Sequence, residues 1–374
     1  MNNNKVCHLT SVHPANDIRI LDKECKSLAN AGYQVVLIAK NKKNETVDGV
    51  HIVPFPVFNN RFARVLFSPL RMFFLARKQK AALYHFHDPE LLITGLLLRL
   101  FTRAKVVYDI HEDYRTSIGQ KHYLPRPIAA AAAGVFGLFE KLAARAFVLI
   151  TAEKYYNDRF PKGIQILNYP LTEGEGGPPE VMEPQNRSRS CCLLYTGGIT
   201  ADRGALLHAE MLNHLKNVEL YMVGICRKSI AEQMRRIAGE NQDRLHIEGE
   251  DGFVSPSRIR QYYEEREWLA GLAIFPPTPH YKKKELTKFF EYMGVGIPII
   301  CSDFPVWREL VEGSGAGLVV DPSDWKAIVE AVEFLKTHGD EARQMGEKGK
   351  RAVKERYNWN MEEKKLSDLY RSLL

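Results

Sequence analysis

The stretch TKFFEYMGVGIPIICSD, from Thr287 to Asp303, predicts a short helix followed by a buried strand. Thr287 is expected to be the N-cap, Gly296 ends the helix, and the apolar run PIIC is typical of a strand. Lys288 and Glu291 are three residues apart and share a face near the helix N-terminus. The N–H groups and the helix dipole there suit an anion, and the carboxylate of Glu291 can accept hydrogen bonds from a sugar diol. The stretch therefore indicates a site for a phosphorylated sugar, with a solvated surface helix as the alternative.

The alternation of apolar runs and helical segments continues through both halves of the chain. It predicts an α/β fold with two doubly wound, Rossmann-like domains that face each other across a cleft. The expected strands are Val6–Leu9, Val35–Ala39, Val50–Pro54, Leu83–Phe86, Val106–Ile110 and Val148–Thr151 in the first half, and Cys191–Thr196, Leu220–Val223, Leu245–Ile247, Leu272–Phe275, Ile297–Cys301 and Leu318–Val320 in the second.

The domain boundaries follow from a change in composition. Residues 171–190 are rich in Gly, Pro and polar side chains and have no periodicity, so we expect a linker there. One domain then covers residues 1–170 and the other residues 191–357. Residues 358–374 form a C-terminal helix that can cross back to the first domain. A helix is also predicted over Asp17–Ala31, directly after the first strand.

The net charge of +7 is unevenly distributed. Residues 1–170 carry 24 Lys and Arg against 13 Asp and Glu, whereas the remainder carries 28 against 32. A basic half could face nucleic acid or an anionic membrane. In Arg61–Lys80 and Leu96–Lys105 the basic residues are interleaved with Leu and Phe, and this mixture favours a lipid surface over nucleic acid. The alternative is that these helices pack their apolar faces on the core.

Targeting and cysteine patterns indicate a cytoplasmic protein. The N-terminus lacks the pattern of a signal peptide, and the longest uncharged apolar run, Pro127–Phe139, has 13 residues against the roughly 18 that a membrane span needs. The six cysteines show no CxxC spacing, so we expect reduced, buried thiols. Peripheral attachment to the inner face of the cytoplasmic membrane is compatible with this location.

Polar residues follow several strands of the first half. Asp17 and Arg19 open a helix after the first strand, either as an N-cap with its local partner or as contacts to an acceptor or a diphosphate. His85 and His87 point the same way on another strand, so a metal pair is conceivable. No third ligand of convincing spacing lies nearby, and we therefore expect a polar edge rather than a zinc site.

The sequence DIHED, from Asp109 to Asp113, lies at the end of the strand Val106–Ile110 and contains four ionisable residues. Glu112 and Asp113 could form an N-cap cluster that favours the helix dipole. His111 lies at the carboxyl end of a buried strand, where a side chain can position a sugar hydroxyl. Both interpretations remain open on the residues alone.

The second half opens with the sequence YTGGITADRG, from Tyr195 to Gly204. Gly197 and Gly198 directly after a strand let backbone N–H groups approach a phosphate, and Arg203 can supply positive charge. The sequence is not GxGxxG, and an acidic partner about 20 residues further on is missing, so NAD binding is disfavoured.

These segments together resemble the GT-B glycosyltransferases of the retaining family 4 (group 1), in particular a bacterial polysaccharide-type subgroup. The resemblance implies that Glu291 holds the nucleotide ribose, that His111 contacts the donor sugar, and that Arg203 and Lys288 face the diphosphate. It also implies an acceptor domain in the first half and a nucleotide-sugar domain in the second.

Two positions depart from the family pattern. A basic residue usually stands where this chain has Gly198, so only Arg203 of the usual pair of cations is present. The first of two glutamates spaced eight residues apart is replaced by Lys283. Contacts to the donor sugar are then expected from His280, Tyr281 or a basic residue, although the run of lysines there fits a solvated loop equally well.

The resemblance implies an enzyme, a hexosyl- or glycosyltransferase that moves a sugar from a UDP- or GDP-linked donor to a glycan, lipid-linked, with retention of configuration. Its role would lie in cell-surface polysaccharide or glycoconjugate synthesis. No DxD-like motif lies in a suitable loop, so we expect no metal and no cofactor. Two alternatives stay open: a sugar-nucleotide 2-epimerase, with Asp109, Glu112 and Asp113 as candidate acids and bases, and a non-catalytic partner subunit of the same fold.

Overall fold

The computed structural model describes residues 4–56, 61–111, 126–171 and 191–374. They divide into two compact units, the first from Met1–Asn168 with Trp359–Leu374 and the second from Tyr169–Asn358. Most of the predicted linker, and also Glu112 and Asp113, lie outside the described residues.

Within the described residues, the first unit contains an eight-stranded sheet in the order β3-β4-β2-β1-β5-β6-β7-β8. Neighbouring strands are parallel except for the antiparallel pair β3 and β4. The strands are β1 (Lys5–Pro14), β2 (Gln34–Lys40), β3 (Glu45–Val47), β4 (Val50–Pro54), β5 (Leu83–Phe86), β6 (Lys105–Ile110), β7 (Val148–Thr151) and β8 (Ile164–Gln165). All six strands expected in this half are confirmed, whereas β3 and β8 are too short to give a periodic signal. The strand order reverses between β1 and β5, which is where a doubly wound sheet opens a crevice at its carboxyl ends.

The main helices of the first unit are a π-helix (Ile18–Cys25), α1 (Lys26–Asn30), α2 (Arg61–Gln79), α3 (Leu92–Phe101), α4 (Arg126–Ala143) and, at the end of the chain, α12 (Trp359–Leu373). The helix was predicted as one regular element over Asp17–Ala31. It is instead a π-helix, Ile18–Cys25, followed by the short helix α1, Lys26–Asn30. The wider π turn lets Arg19 and Glu24, five residues apart, form an ion pair at 3.2 Å.

The C-terminal helix α12 packs on the first unit. The indole N–H of Trp359 donates to Oγ of Ser27 at 2.9 Å, and a carboxylate oxygen of Glu362 accepts from the N–H of Leu167 at 2.9 Å. The hydroxyl of Tyr370 lies 2.8 Å from Nδ1 of His85. Because all these groups are buried, the contacts tie the last helix to the polar interior of this sheet.

In the described part of the second unit, six parallel strands form a sheet in the order β11-β10-β9-β12-β13-β14. The strands are β9 (Cys192–Thr196), β10 (Glu219–Cys226), β11 (Leu245–Glu250), β12 (Ala270–Ala273), β13 (Ile299–Ser302) and β14 (Gly317–Val320). The helices are α5 (Ala205–His214), α6 (Lys228–Ala238), α7 (Pro256–Glu265), α8 (Thr287–Val295), α9 (Pro305–Val311), α10 (Trp325–Thr337) and α11 (Gly339–Glu355). The six strands predicted for this half are present, although β12 begins and ends two residues earlier than the predicted Leu272–Phe275.

Helix α8 carries one correction. The prediction that Thr287 is the N-cap is wrong: Leu286 precedes the helix with extended backbone, and exposed Thr287 is the first helical residue. Leu286 takes this place because its side chain is buried, which fixes the entry of the chain into the helix. The predicted end is confirmed, since Gly296 adopts the left-handed conformation with φ of 77°.

Candidate functional site

In the second unit, the turn after β9 brings backbone and a guanidinium together. Gly197 has a φ of 103°, which only glycine adopts without strain. A Cβ atom on Gly198 would lie 3.1 Å from Nη1 of Arg203, so the guanidinium lies against this glycine. The hydroxyl of Tyr195 donates to the carbonyl of Gly198 at 2.8 Å and fixes the turn. A side chain at position 198 would have to share this space with the guanidinium of Arg203.

Arg203 is held in place by Tyr281. The Nε–H of Arg203 donates to the hydroxyl of Tyr281 at 3.1 Å, and that hydroxyl donates to Oδ2 of Asp202 at 3.0 Å. Burial works against the charge of Arg203, yet the hydrogen bond to Tyr281 and the nearby acidic groups raise its pKa above the ordinary value. Tyr281, expected as a sugar contact, has its hydroxyl engaged with Arg203, and His280 lies beside it with ring centroids 5.0 Å apart.

Lys288 is buried within the same region, on the first turn of α8. Its Nζ lies 3.3 Å from the centroid of the Tyr195 ring, and it donates no hydrogen bond to any described residue. Burial, and then the charge of Arg203, lower the pKa of Lys288 well below its ordinary value, while Glu291 opposes the shift. An ammonium without an acceptor in a buried position is costly unless an anion binds it.

Glu291 is half-buried on α8, one turn after Lys288. Its Oε2 accepts a hydrogen bond from the hydroxyl of Tyr263 at 2.9 Å, and the same hydroxyl lies 3.1 Å from Oγ1 of Thr196. The N–H of Thr196 donates to the hydroxyl of Tyr292 at 2.9 Å. Tyr263 and Tyr292 thus orient the carboxylate and the end of β9, and neither was expected from the sequence.

The first unit has its own polar cluster at the carboxyl end of β6. Arg19 donates two hydrogen bonds to the carboxylate of Asp109, at 2.9 and 2.8 Å, and Nδ1 of His87 lies 3.1 Å from Oδ2 of the same residue. Burial alone would raise the pKa of Asp109, but Arg19 and the two histidines beside it hold the pKa well below its ordinary value. Arg19 and His87 are buried, so they contact Asp109 in the interior of the first unit.

His111 is the more accessible member of this cluster. Its Nδ1 lies 3.3 Å from Oδ2 of Asp109, and its Nε2 lies 3.1 Å from Nε2 of His13. His13 in turn lies 3.3 Å from a carboxylate oxygen of Asp17. The other oxygen of Asp17 accepts from the N–H of Ile20, so the N-cap alternative for Asp17 is confirmed. Burial opposes ionisation of Asp17, but the contact with His13 lowers its pKa to about 2.

The predicted site residues therefore form two groups, one at the carboxyl edge of each sheet. Arg203, Lys288, Glu291 and the two glycines after β9 are brought together in the second unit, with Thr287 exposed at the start of α8. Asp17, Arg19, His87 and His111 are brought together in the first unit around Asp109. Glu112 and Asp113, also candidates, lie outside the described residues.

Each unit also matches a protein-family model. Residues 19–155 match the model of glycosyltransferase family 4, and residues 252–352 match the model of glycosyl transferases group 1. Over these residues the chain is similar to glycosyltransferases, and its two parallel α/β sheets match the GT-B fold. No curated protein matches the sequence. No helix among the described residues is long and apolar enough to cross a membrane.

Solved structures agree with this assignment at the level of the fold. A glycosyltransferase from Rickettsia africae shares 14% identity and a TM-score of 0.75, covering 100% of this chain and 99% of its own. Sucrose-phosphate synthase from Thermosynechococcus elongatus shares 17% identity and a TM-score of 0.70, with 99% and 98% covered. Anabaena HepE in complex with UDP and glucose shares 12% identity and a TM-score of 0.69, with 99% and 100% covered. At these identities the likeness concerns the fold alone.

Proposed function

We propose that this glycosyltransferase moves a sugar from a nucleoside diphosphate sugar to a hydroxyl of a lipid-linked glycan, with retention of anomeric configuration, in cell-surface polysaccharide or glycoconjugate synthesis. The observation that carries the proposal is the pair of Arg203 and Lys288 at one sheet edge. Lys288 is buried without a hydrogen-bond acceptor among the described residues, which is the state expected of a cation whose partner is a substrate anion.

The nucleotide would bind to groups that the second unit already orients. Glu291, fixed by Tyr263, has a carboxylate that can accept hydrogen bonds from both ribose hydroxyls. The backbone at Gly197 and Gly198 offers N–H groups without side chains that would block a phosphate. HepE, a structural neighbour, is known in complex with UDP-glucose, and this supports a nucleotide-sugar donor.

The chemistry would be electrostatic. Negative charge grows on the leaving diphosphate as the glycosidic bond breaks, and preorganised cations stabilise that charge without reorganisation. Arg203 is fixed by Tyr281 for this task, and Lys288 has no competing acceptor. We therefore propose that transfer needs no cofactor and that added Mg²⁺ or Mn²⁺ leaves the rate unchanged. Retention would follow from attack on the same face as the departing phosphate, which NMR of the product anomer tests.

His111 would hydrogen-bond a hydroxyl of the transferred sugar through Nε2, in exchange for its contact with His13. Asp109 orients its Nδ1, and the ring is more accessible than Arg19 or His87. We propose that those two buried residues position Asp109 rather than touch a substrate. The same burial disfavours Asp109 as the acid or base of an epimerase, because its carboxylate, bound by Nε and Nη2 of Arg19, is not available to exchange protons. Turnover of UDP-N-acetylglucosamine without an acceptor would reverse this conclusion.

Replacing Glu291 with Ala should weaken binding of the preferred nucleoside diphosphate about 10–150-fold. The loss of charge-assisted hydrogen bonds to the ribose costs on the order of 1.5–3 kcal/mol. Isothermal titration with UDP, GDP, dTDP and ADP on the wild type identifies the preferred base, and the same titration on the variant measures the loss. The control is Glu309→Ala, which removes an exposed carboxylate on α9 of the same unit. Equal affinities for the wild type and a folded Glu291→Ala variant would end this assignment.

A membrane surface is the second element of the proposal. Helices α2 and α3 expose large apolar side chains, among them Phe67, Leu70 and Phe74 on α2 and Leu100 and Phe101 on α3. Arg71 and Lys78 flank the groove that the α2 residues line. Apolar side chains ringed by basic ones suit insertion into an anionic leaflet. A lipid-linked acceptor would be reached there, which supports peripheral attachment through the first unit.

The protein should therefore co-sediment with anionic liposomes and not with neutral ones, and less so at high salt. Each basic residue near an anionic leaflet contributes roughly 1 kcal/mol. Changing Arg71, Arg77, Lys78 and Lys80 to Ser should release the protein, whereas the control changes of Lys326, Arg343, Lys348 and Lys354, all exposed in the second unit, should not. Equal recovery with both kinds of vesicle, or recovery with neither, would show that these helices serve another purpose.

A further inference from the structure

Three histidines and a glutamate lie close together in the buried interior of the first unit. His8 lies on β1, His85 and His87 lie on β5 or directly after it, and Glu24 lies on the π-helix. All four side chains are fully buried. The sequence shows no third ligand close to His85 and His87 along the chain. The fold supplies His8 and Glu24 from far along the chain.

The spacing of the ligand-type atoms fits a metal ion. Nδ1 of His8 and Nε2 of His87 are 3.1 Å apart, and each lies 3.9 Å from Oε2 of Glu24. The point equidistant from these three atoms is about 2.1 Å from each, which matches the zinc–nitrogen and zinc–oxygen bond lengths of roughly 2.0–2.2 Å. Nδ1 of His85 lies 3.7 Å from the same oxygen of Glu24, so His85 is placed to supply a fourth ligand.

The outer groups also suit coordination. Nδ1 of His87 lies 3.1 Å from the ionised carboxylate of Asp109, so this nitrogen carries the hydrogen and leaves Nε2 with a free lone pair. Nε2 of His8 lies 3.1 Å from the hydroxyl of Tyr370, which can accept its hydrogen while Nδ1 faces inward. Carboxylates and other acceptors placed in this way fix the tautomer and orientation of metal-bound imidazoles.

Glu24 gives an independent reason for a cation at this place. Neither of its oxygens accepts a hydrogen bond from any described residue, although one lies 3.2 Å from Arg19. A hydrogen bond between His8 and His87 satisfies the two imidazoles but does nothing for this carboxylate. A metal ion would replace that one hydrogen bond with bonds to both imidazoles and to Oε2 of Glu24.

We propose that His8, His87 and Glu24 bind one zinc ion, with His85 as the fourth ligand, exchanging its hydrogen bond to Tyr370 for the metal. Three imidazoles and a carboxylate form a ligand set that zinc prefers, and a site closed by four protein ligands is structural rather than catalytic. The ion would join β1, β5 and the π-helix in the interior of the first unit, while His87 keeps its contact with Asp109.

The full-length protein, freed of metal by dialysis against a chelator, should bind one equivalent of Zn²⁺ in competition with a chromophoric chelator, and its melting temperature should rise on binding. Co²⁺ in place of Zn²⁺ should give the visible absorption of a tetrahedral site. Glu24→Gln should weaken Zn²⁺ binding at least about 10-fold. The control His51→Gln, an exposed histidine on β4, should leave the affinity unchanged.

Two results would overturn the zinc site: no stoichiometric Zn²⁺ binding by the wild type, or equal affinity in the wild type and Glu24→Gln. If Glu24→Gln does not fold, His87→Gln provides a second variant, and the Co²⁺ spectrum of the wild type tests the coordination without any substitution. None of these measurements depends on sugar transfer, so the zinc site and the proposed function can fail separately.

Discussion

Replacing Lys288 with Met should lower kcat/KM for sugar transfer about 10²–10³-fold and at the same time raise the melting temperature of the ligand-free protein. The loss in rate is that of removing one preorganised group from a developing negative charge. The gain in stability follows from the position of Nζ, which is buried over the Tyr195 ring without a hydrogen-bond acceptor among the described residues. Met fills a similar volume and needs no acceptor.

The pH dependence of stability gives this prediction a second readout. Burial and Arg203 depress the pKa of Lys288 in the folded protein, whereas the unfolded chain keeps the ordinary value of 10.5. Between these two pKa values the unfolded state binds more protons, so this residue makes the free energy of unfolding rise with increasing pH up to about 10.5. Lys288→Met should remove that contribution, which denaturant titrations at several pH values measure.

The matched control is Lys326→Met, at an exposed position on α10 of the same unit. It should change neither the rate nor the pH dependence of unfolding. A Lys288→Met protein that transfers sugar normally would refute the diphosphate role. A variant that is inactive and also less stable than the wild type would show instead that the ammonium supports the fold.

Local patterns predicted much of the fold. Apolar runs bounded by turn residues located the twelve expected strands, because a buried parallel strand needs such a run wherever it occurs. Gly296 was predicted to end α8 because few other residues adopt its conformation. The start of α8 was misplaced by one residue, since burial of Leu286 depends on the packed structure and not on capping preference. The π-helix also gave no signal, because its apolar spacing resembles that of an α-helix.

Side-chain partners that are distant in sequence were not predictable. Tyr263 is 28 residues from Glu291, and Arg19 is 90 residues from Asp109. Sequence patterns locate the carboxyl ends of strands, where polar residues gather, but the pairing of those residues depends on strand order and helix docking. For the same reason, His85 and His87 could be noticed as a pair while their neighbour Glu24 could not.

Replacing His111 with Ala should lower turnover about 10²–10³-fold and leave the melting temperature within a few degrees of the wild type. The imidazole is oriented by Asp109 and lies at the more accessible side of the cluster, so we expect it to hydrogen-bond a sugar hydroxyl as the glycosidic bond breaks. Asp109 keeps its bonds to Arg19 and His87 without it, which is why the fold should tolerate the change. Steady-state kinetics and a thermal melt measure the two effects.

A deoxy-sugar donor distinguishes this role from a structural one. A site that hydrogen-bonds a hydroxyl rejects the analogue that lacks it, because its polar group is then left unpaired. The wild type should therefore discriminate strongly between the best donor and the matching deoxy donor, and His111→Ala should lose most of that discrimination. The control His51→Ala, far from β6 on the exposed face of β4, should behave as the wild type. Near-normal turnover with a large drop in melting temperature, or unchanged discrimination in the variant, would mean that His111 supports Asp109 and does not touch the sugar.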